Sequence, residues 1–103
     1  MTPAVTVVFQ GMDASEALRA DIEQHAGKLV RFAGQLQFCD AVVGLEEGRH
    51  RQGNRFHVRL LAALPGGLET AEEFHEDPYI AAHRAFDALR RQLEDHVRIR
   101  RGD

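Results

Sequence analysis

Apolar positions along this chain recur with two periods, and the switches between them lay out its elements. Ala4–Gln10 (AVTVVFQ) is short, β-branched and aromatic, the profile of a strand. Gly11 breaks it. Either Asp13, with Glu16 three residues on, or Ser15 caps the helix that follows. Leu18, Ile22, Ala26, Leu29 and Ala33 mark that helix's apolar stripe, with Phe32 beside it and Gly34 at its close. A second strand over Phe38–Glu46 puts Ala41, Val43 and Leu45 on one face. A glycine- and cation-rich turn then runs over residues 48–54. Beyond it, Phe56, Val58, Leu60 and Ala62 alternate with Arg55, His57, Arg59 and Leu61, as in a half-buried strand. Pro65-Gly66-Gly67 reads as a tight reversal, and residues 68–74 as a fourth, more acidic strand.

The longest periodic segment comes last. Asp77 is a good N-cap, and Pro78 suits a first helical position, where an N–H is not needed. Tyr79, Ala82, Phe86, Leu89, Leu93 and Val97 then recur at spacings of three and four, one stripe of a helix of roughly six turns. Arg84, Arg91 and Arg98 repeat every seven residues on the opposite face, with Arg90, Arg100 and Arg101 along the flank and end.

The order β-α-β-β-β-α constrains the architecture. A helix between two adjacent strands makes them parallel through a right-handed crossover, and the short turns make the later strands an antiparallel meander. Both apolar stripes then bury against the same face of a four-stranded sheet. The predicted fold is a two-layer α/β (α+β) sandwich in one domain spanning residues 1–103, with Phe86 and Leu89 deep in it.

Composition narrows the function classes. The formal net charge of −3 argues against a general nucleic-acid coat, but its distribution is uneven. Five acids and no Lys or Arg lie from Glu69 to Asp77, while four arginines and no acid lie from Arg49 to Arg59. The single cysteine, Cys39, allows no internal disulfide and reads as a small buried hydrophobe in a reducing cytosol. No secretory signal or apolar run long enough to span a bilayer is seen, so a cytoplasmic location is expected. The six histidines show no metal-ligand spacing, and neither a phosphate loop nor a catalytic motif surrounds the few serines and threonines. The chain therefore reads as a non-enzyme with no cofactor, no metal and no small-molecule substrate.

Several stretches resemble one family. Asp77-x-Tyr79-x-Ala81 followed by Asp87-x-Leu89-x-Arg91-Gln92-Leu93 looks like the last helix of the ribosome hibernation-promoting factors, which include ribosome-associated inhibitor A and proteins once called sigma-54 modulation proteins. Ser15-Glu16-Ala17-Leu18-Arg19 and Lys28-Leu29-x-Arg31-Phe32 resemble its first helix, and Pro65-Gly66-Gly67 its turn. The resemblance covers nearly the whole chain and is to the short form. It implies a β-α-β-β-β-α domain that binds the small ribosomal subunit in the tRNA and mRNA channel and keeps idle ribosomes from translating. It also implies rRNA contacts by Arg19, His25, Lys28, Arg31 and Arg91. The family commonly has lysine where this chain has Ala88, and lysine again where it has Asp95.

The residues themselves add Arg49, Arg51, Arg55, Arg84, Arg90 and Arg98 as candidate phosphate contacts, since arginine's planar fork holds two phosphate oxygens. A structural alternative stands beside this. Arg84, Asp87, Arg91, Asp95 and Arg98 are spaced to form an intrahelical ion-pair ladder that would neutralise most of the stripe, leaving Arg90, Arg100 and Arg101 less fully paired. Two other function classes remain open: a protein-interaction or regulatory module that kept the fold, and a double-stranded RNA binder.

Overall fold

The computed structural model describes residues 4–32, 35–46 and 55–100. Its elements are β1 (Ala4–Gln10), α1 (Glu16–Phe32), β2 (Phe38–Glu46), β3 (Arg55–Leu64), β4 (Gly67–His75) and α2 (Pro78–Arg100). The strands form one sheet in the order β1-β2-β3-β4. β1 runs parallel to β2, with Val7 opposite Ala41, and the other two pairings are antiparallel. The sequence expectation of a β-α-β unit followed by a meander is met.

Local chemistry sets the boundaries. Of the two caps on offer for α1, Ser15 is used: its Oγ accepts from the Leu18 N–H at 3.2 Å, and its carbonyl accepts from Arg19 N–H at 2.9 Å. Asp77 caps α2, its Oδ1 accepting from the Tyr79 N–H at 2.9 Å. Between β3 and β4, Leu64 faces Gly67 across a two-residue turn. Pro65 presets the first position, and Gly66, at φ 85°, supplies the left-handed second one that a type II turn requires.

Both helices cover the same face of the sheet. Leu18, Ile22, Ala26 and Leu29 of α1 join Ala82, Phe86, Leu89 and Leu93 of α2 in one core with Val7, Ala41, Val43, Val58, Leu60 and Ala62. α1 packs beside β1, α2 lies over β3 and β4, and the helices touch each other. One expected member of the α2 stripe is displaced. Tyr79 is 43% exposed, and the core is closed at that end by the fully buried Ala81, Ala82 and Ala85 instead. These methyl-sized side chains let the helix settle close to the sheet, leaving Tyr79 on the flank. Ala33 lies outside the described residues, as do the side chains of Phe32 and Val97.

Among the described residues, no helix covers the other face of the sheet. Arg55, His57, Arg59 and Leu61 of β3 project there, beside Glu46, Val42 and Asp40 of β2 and Phe74, Glu72 and Thr70 of β4. The molecule thus has two unlike surfaces, a helical layer and an open sheet. Among the described residues, no helix is long and apolar enough to cross a membrane.

A candidate nucleic-acid interface on the helical layer

Where α1 and α2 meet, their flanks leave an open groove of about 430 Å³ lined by His25, Lys28 and Leu29 of α1 and by His83, Phe86, Asp87 and Arg90 of α2. The α2 residues are spaced three and four apart, a second stripe beside the one that packs the core. Leu29 and Phe86 are buried and form its floor, while Lys28, His83 and Arg90 are exposed at its rim. Aromatic contact ties the two sides together. The His25 ring stacks on Phe86 with centroids 5.3 Å apart and meets His83 edge-on at 5.6 Å. His25 Nε2 also lies 3.6 Å from Asp21 Oδ2. Burial lowers the His25 pKa below its ordinary 6.5; Asp21 opposes this, and the nearby His83 and Lys28 reinforce it. The ring is therefore uncharged at neutral pH.

The cations singled out from the sequence fall into distinct settings. Lys28 and Arg31 of α1 and Arg84 of α2 are exposed, with no carboxylate within ion-pair distance among the described residues. Arg90 corrects an expectation. Rather than being less fully paired than the ladder residues, it lies 3.7 Å from both Asp87 and Glu94. Arg91 is held at 2.9 Å by Asp87, as the ladder spacing allows. Arg19 serves the fold: its Nη1 donates to the Val7 carbonyl at 3.0 Å, its Nε lies 3.6 Å from Glu16, and its guanidinium is 5.3 Å from the Phe9 ring centroid. It pins α1 to β1.

Arg55 is on the far side of the molecule. It extends over the Phe74 ring at 4.5 Å and lies 3.7 Å from Glu46, both on the open sheet face. His57 stacks on the same Phe74 at 4.3 Å, and its Nε2 lies 2.9 Å from Glu72 without the alignment of a hydrogen bond. The candidate RNA contacts named from the sequence thus do not all share one side. His25, Lys28, Arg31, Arg84, Arg90 and Arg91 belong to the helical layer, and Arg55 does not. Arg49 and Arg51 lie outside the described residues, as does the side chain of Arg98.

His83 and Phe86 were not legible as site residues in the sequence. Phe86 reads as core, and His83 belongs to no motif. Only the meeting of the two helices makes them neighbours of His25.

Comparison with known proteins fits this architecture. Residues 5–101 match the family model described as sigma 54 modulation protein / S30EA ribosomal protein. A ribosome hibernation promotion factor of Deinococcus radiodurans is 32% identical over 85 residues, covering 82% of this chain and 44% of the relative. The chain therefore spans less than half the length of that curated relative. Among solved structures, a ribosomal subunit interface protein from Coxiella burnetii superposes with a TM-score of 0.73 at 21% identity, over 90% of this chain and 96% of the other. The N-terminal domain of Thermus thermophilus Protein Y gives 0.71 at 24% identity, over 92% and 99%. These two likenesses establish the fold. Taken with the match along nearly all of its length, the chain belongs to the sigma 54 modulation protein / S30EA ribosomal protein family.

Proposed function

We propose that this chain is a ribosome-associated translation inhibitor that binds RNA of the small ribosomal subunit through its helical layer, in the cytoplasm. The carrying observation is the pair of exposed α1 cations, Lys28 and Arg31, beside a groove whose opposite rim bears Arg90. A phosphate backbone laid across the two helices meets cations from both. The relative named as a hibernation promotion factor supports the same reading. Inhibition is steric: the sandwich is a rigid wedge that occupies the channel for tRNA and mRNA, and no covalent step is needed.

Co-sedimentation with purified small subunits tests this. Binding at low salt that weakens at moderate salt is expected, with a log–log slope of about −0.7 to −0.9 per phosphate neutralised. Failure to bind at low salt ends the reading.

A second reading is favoured by one specific contact, the 2.9 Å Asp87–Arg91 pair, which neutralises an expected RNA cation. It makes the chain a protein-interaction module of the same fold. Reversing the charge of Arg90 and Arg91 together discriminates: loss of ribosome association supports RNA binding, and unchanged association supports the module.

A further inference from the structure

Phosphate recognition needs only the cations of the helical layer and assigns no role to the rings between them. Yet the groove is walled by His25 and His83 and floored by Phe86 and Leu29, a largely apolar lining open to solvent. Its volume of about 430 Å³ falls within the 300–1,000 Å³ or so typical of clefts that hold small organic ligands. Cations stand at both rims, Lys28 on α1 and Arg90 on α2. The acid among its lining residues, Asp87, is balanced by Arg91 at 2.9 Å and Arg90 at 3.7 Å. Arg90's own contacts are loose, both at 3.7 Å, so its guanidinium can turn to a phosphate without giving up a tight pair. An apolar slot with rings inside and positive charge at the lip matches one ligand chemistry: an aromatic base carrying a phosphate.

We propose that the α1–α2 groove is a nucleotide pocket, taking one unpaired base of single-stranded RNA against the His25, His83 and Phe86 rings with that nucleotide's phosphate at Lys28 and Arg90. This rests on the RNA reading above and adds a base contact to it. Stacking on a ring tolerates any base, since each presents a π face, so the pocket selects unpaired over duplex RNA rather than one sequence over another. A helical duplex keeps its bases stacked inside and cannot fill the slot.

The test has two arms, both on the whole chain. In the first, the imidazole proton resonances of His25 and His83 are followed while a short single-stranded RNA, a duplex of the same sequence and a mononucleotide are added separately. The single strand is expected to move both histidines at lower concentration than the duplex. Equal response to duplex overturns the pocket, and response to the mononucleotide alone overturns its assignment to RNA. In the second arm, wild type, His83→Ala, His83→Phe and Lys28→Glu are co-sedimented with small subunits. His83 is exposed, so its replacement leaves the core untouched. His83→Ala is expected to weaken binding about tenfold, within the range for loss of one stacked base, and His83→Phe to restore it by returning a ring without charge. Lys28→Glu weakens binding as well. Should His83→Ala bind like wild type while Lys28→Glu does not, the surface grips backbone alone: the pocket fails and the RNA reading survives. Should His83→Phe fail as badly as His83→Ala, the ring is not what matters and the pocket fails again. Absence of binding by the wild-type chain removes both readings together.

Discussion

Arg91 reaches back one turn to Asp87, Nη2 to Oδ2 at 2.9 Å, and the same carboxylate lies 3.7 Å from Arg90. One acid thus restrains two cations on the helix that faces the proposed ligand. With the acid N-terminal to the arginine by four residues, the pair has the orientation that suits a helix. Its contribution to stability is nonetheless small, about 0.3–0.5 kcal/mol for so exposed a pair.

Asp87→Asn follows directly. The substitution frees Arg91 and leaves Arg90 with Glu94 alone, at little cost to the fold. Small-subunit affinity at low salt is expected to rise roughly fivefold, equivalent to about 1 kcal/mol, with a steeper salt dependence. Equal affinity for mutant and parent in a salt series would show that Arg91 does not meet RNA.

Leu89 has no exposed surface and sits where α2 lies against the sheet. Truncation to alanine leaves a void between the two layers, and Leu89→Ala is expected to cost about 2–5 kcal/mol. Urea denaturation reads this as a lower midpoint with an unchanged slope. A loss under about 1 kcal/mol would mean that the helix docks less tightly than its burial indicates.

The groove makes stability depend on pH. Burial disfavours the imidazolium form of His25 in the folded chain, so between its lowered pKa and 6.5 the unfolded chain binds more protons. Stability contributed by the neutral ring is complete above 6.5 and is lost as pH falls toward the folded-state value. The urea midpoint of wild type should therefore drop more than that of His25→Gln between about pH 7.5 and about pH 5.5. Parallel drops in the two proteins would remove His25 as the source.

Cys39 is 1% exposed, and burial chiefly, with help from the Asp40 carboxylate, pushes its thiol pKa up to about 11. Only roughly one thiol in ten thousand is then ionised at neutral pH, and the thiolate is the reactive species. A colourimetric thiol reagent should label the native chain very slowly and the urea-unfolded chain at once. Fast native labelling would place Cys39 nearer the surface than β2 puts it.

The elements themselves were legible because each carries its own local signal. Alternation at Phe56 to Ala62 marks β3, and Ser15 and Asp77 mark the helix starts. Tyr79 misled because periodicity gives the centre of a helical face but not how close the helix lies to its neighbour; the alanines at 81, 82 and 85 decide that. Arg90 misled for a related reason. Spacing permits Asp87 to pair with Arg84, Arg90 or Arg91, and the choice depends on which flank of α2 the carboxylate occupies. The groove was hidden altogether. His25 and His83 lie on different helices far apart in sequence, and their encounter is fixed by how α1 and α2 are rotated over the sheet, which neither helix encodes alone.

The parallel ladder between β1 and β2 carries a last consequence, for the order of assembly. Its closure must wait until a connection containing all of α1 has been drawn in, whereas β3 and β4 meet across two residues. Closing the longer loop costs more chain entropy before any contact repays it, so the meander is expected to form early and the N-terminal strand to be laid down late. The Arg19 hydrogen bond to Val7 then acts as a latch on the piece most prone to peel away. In native-state hydrogen exchange, the β1 amides bonded to β2 should open at lower free energy than those of central β3.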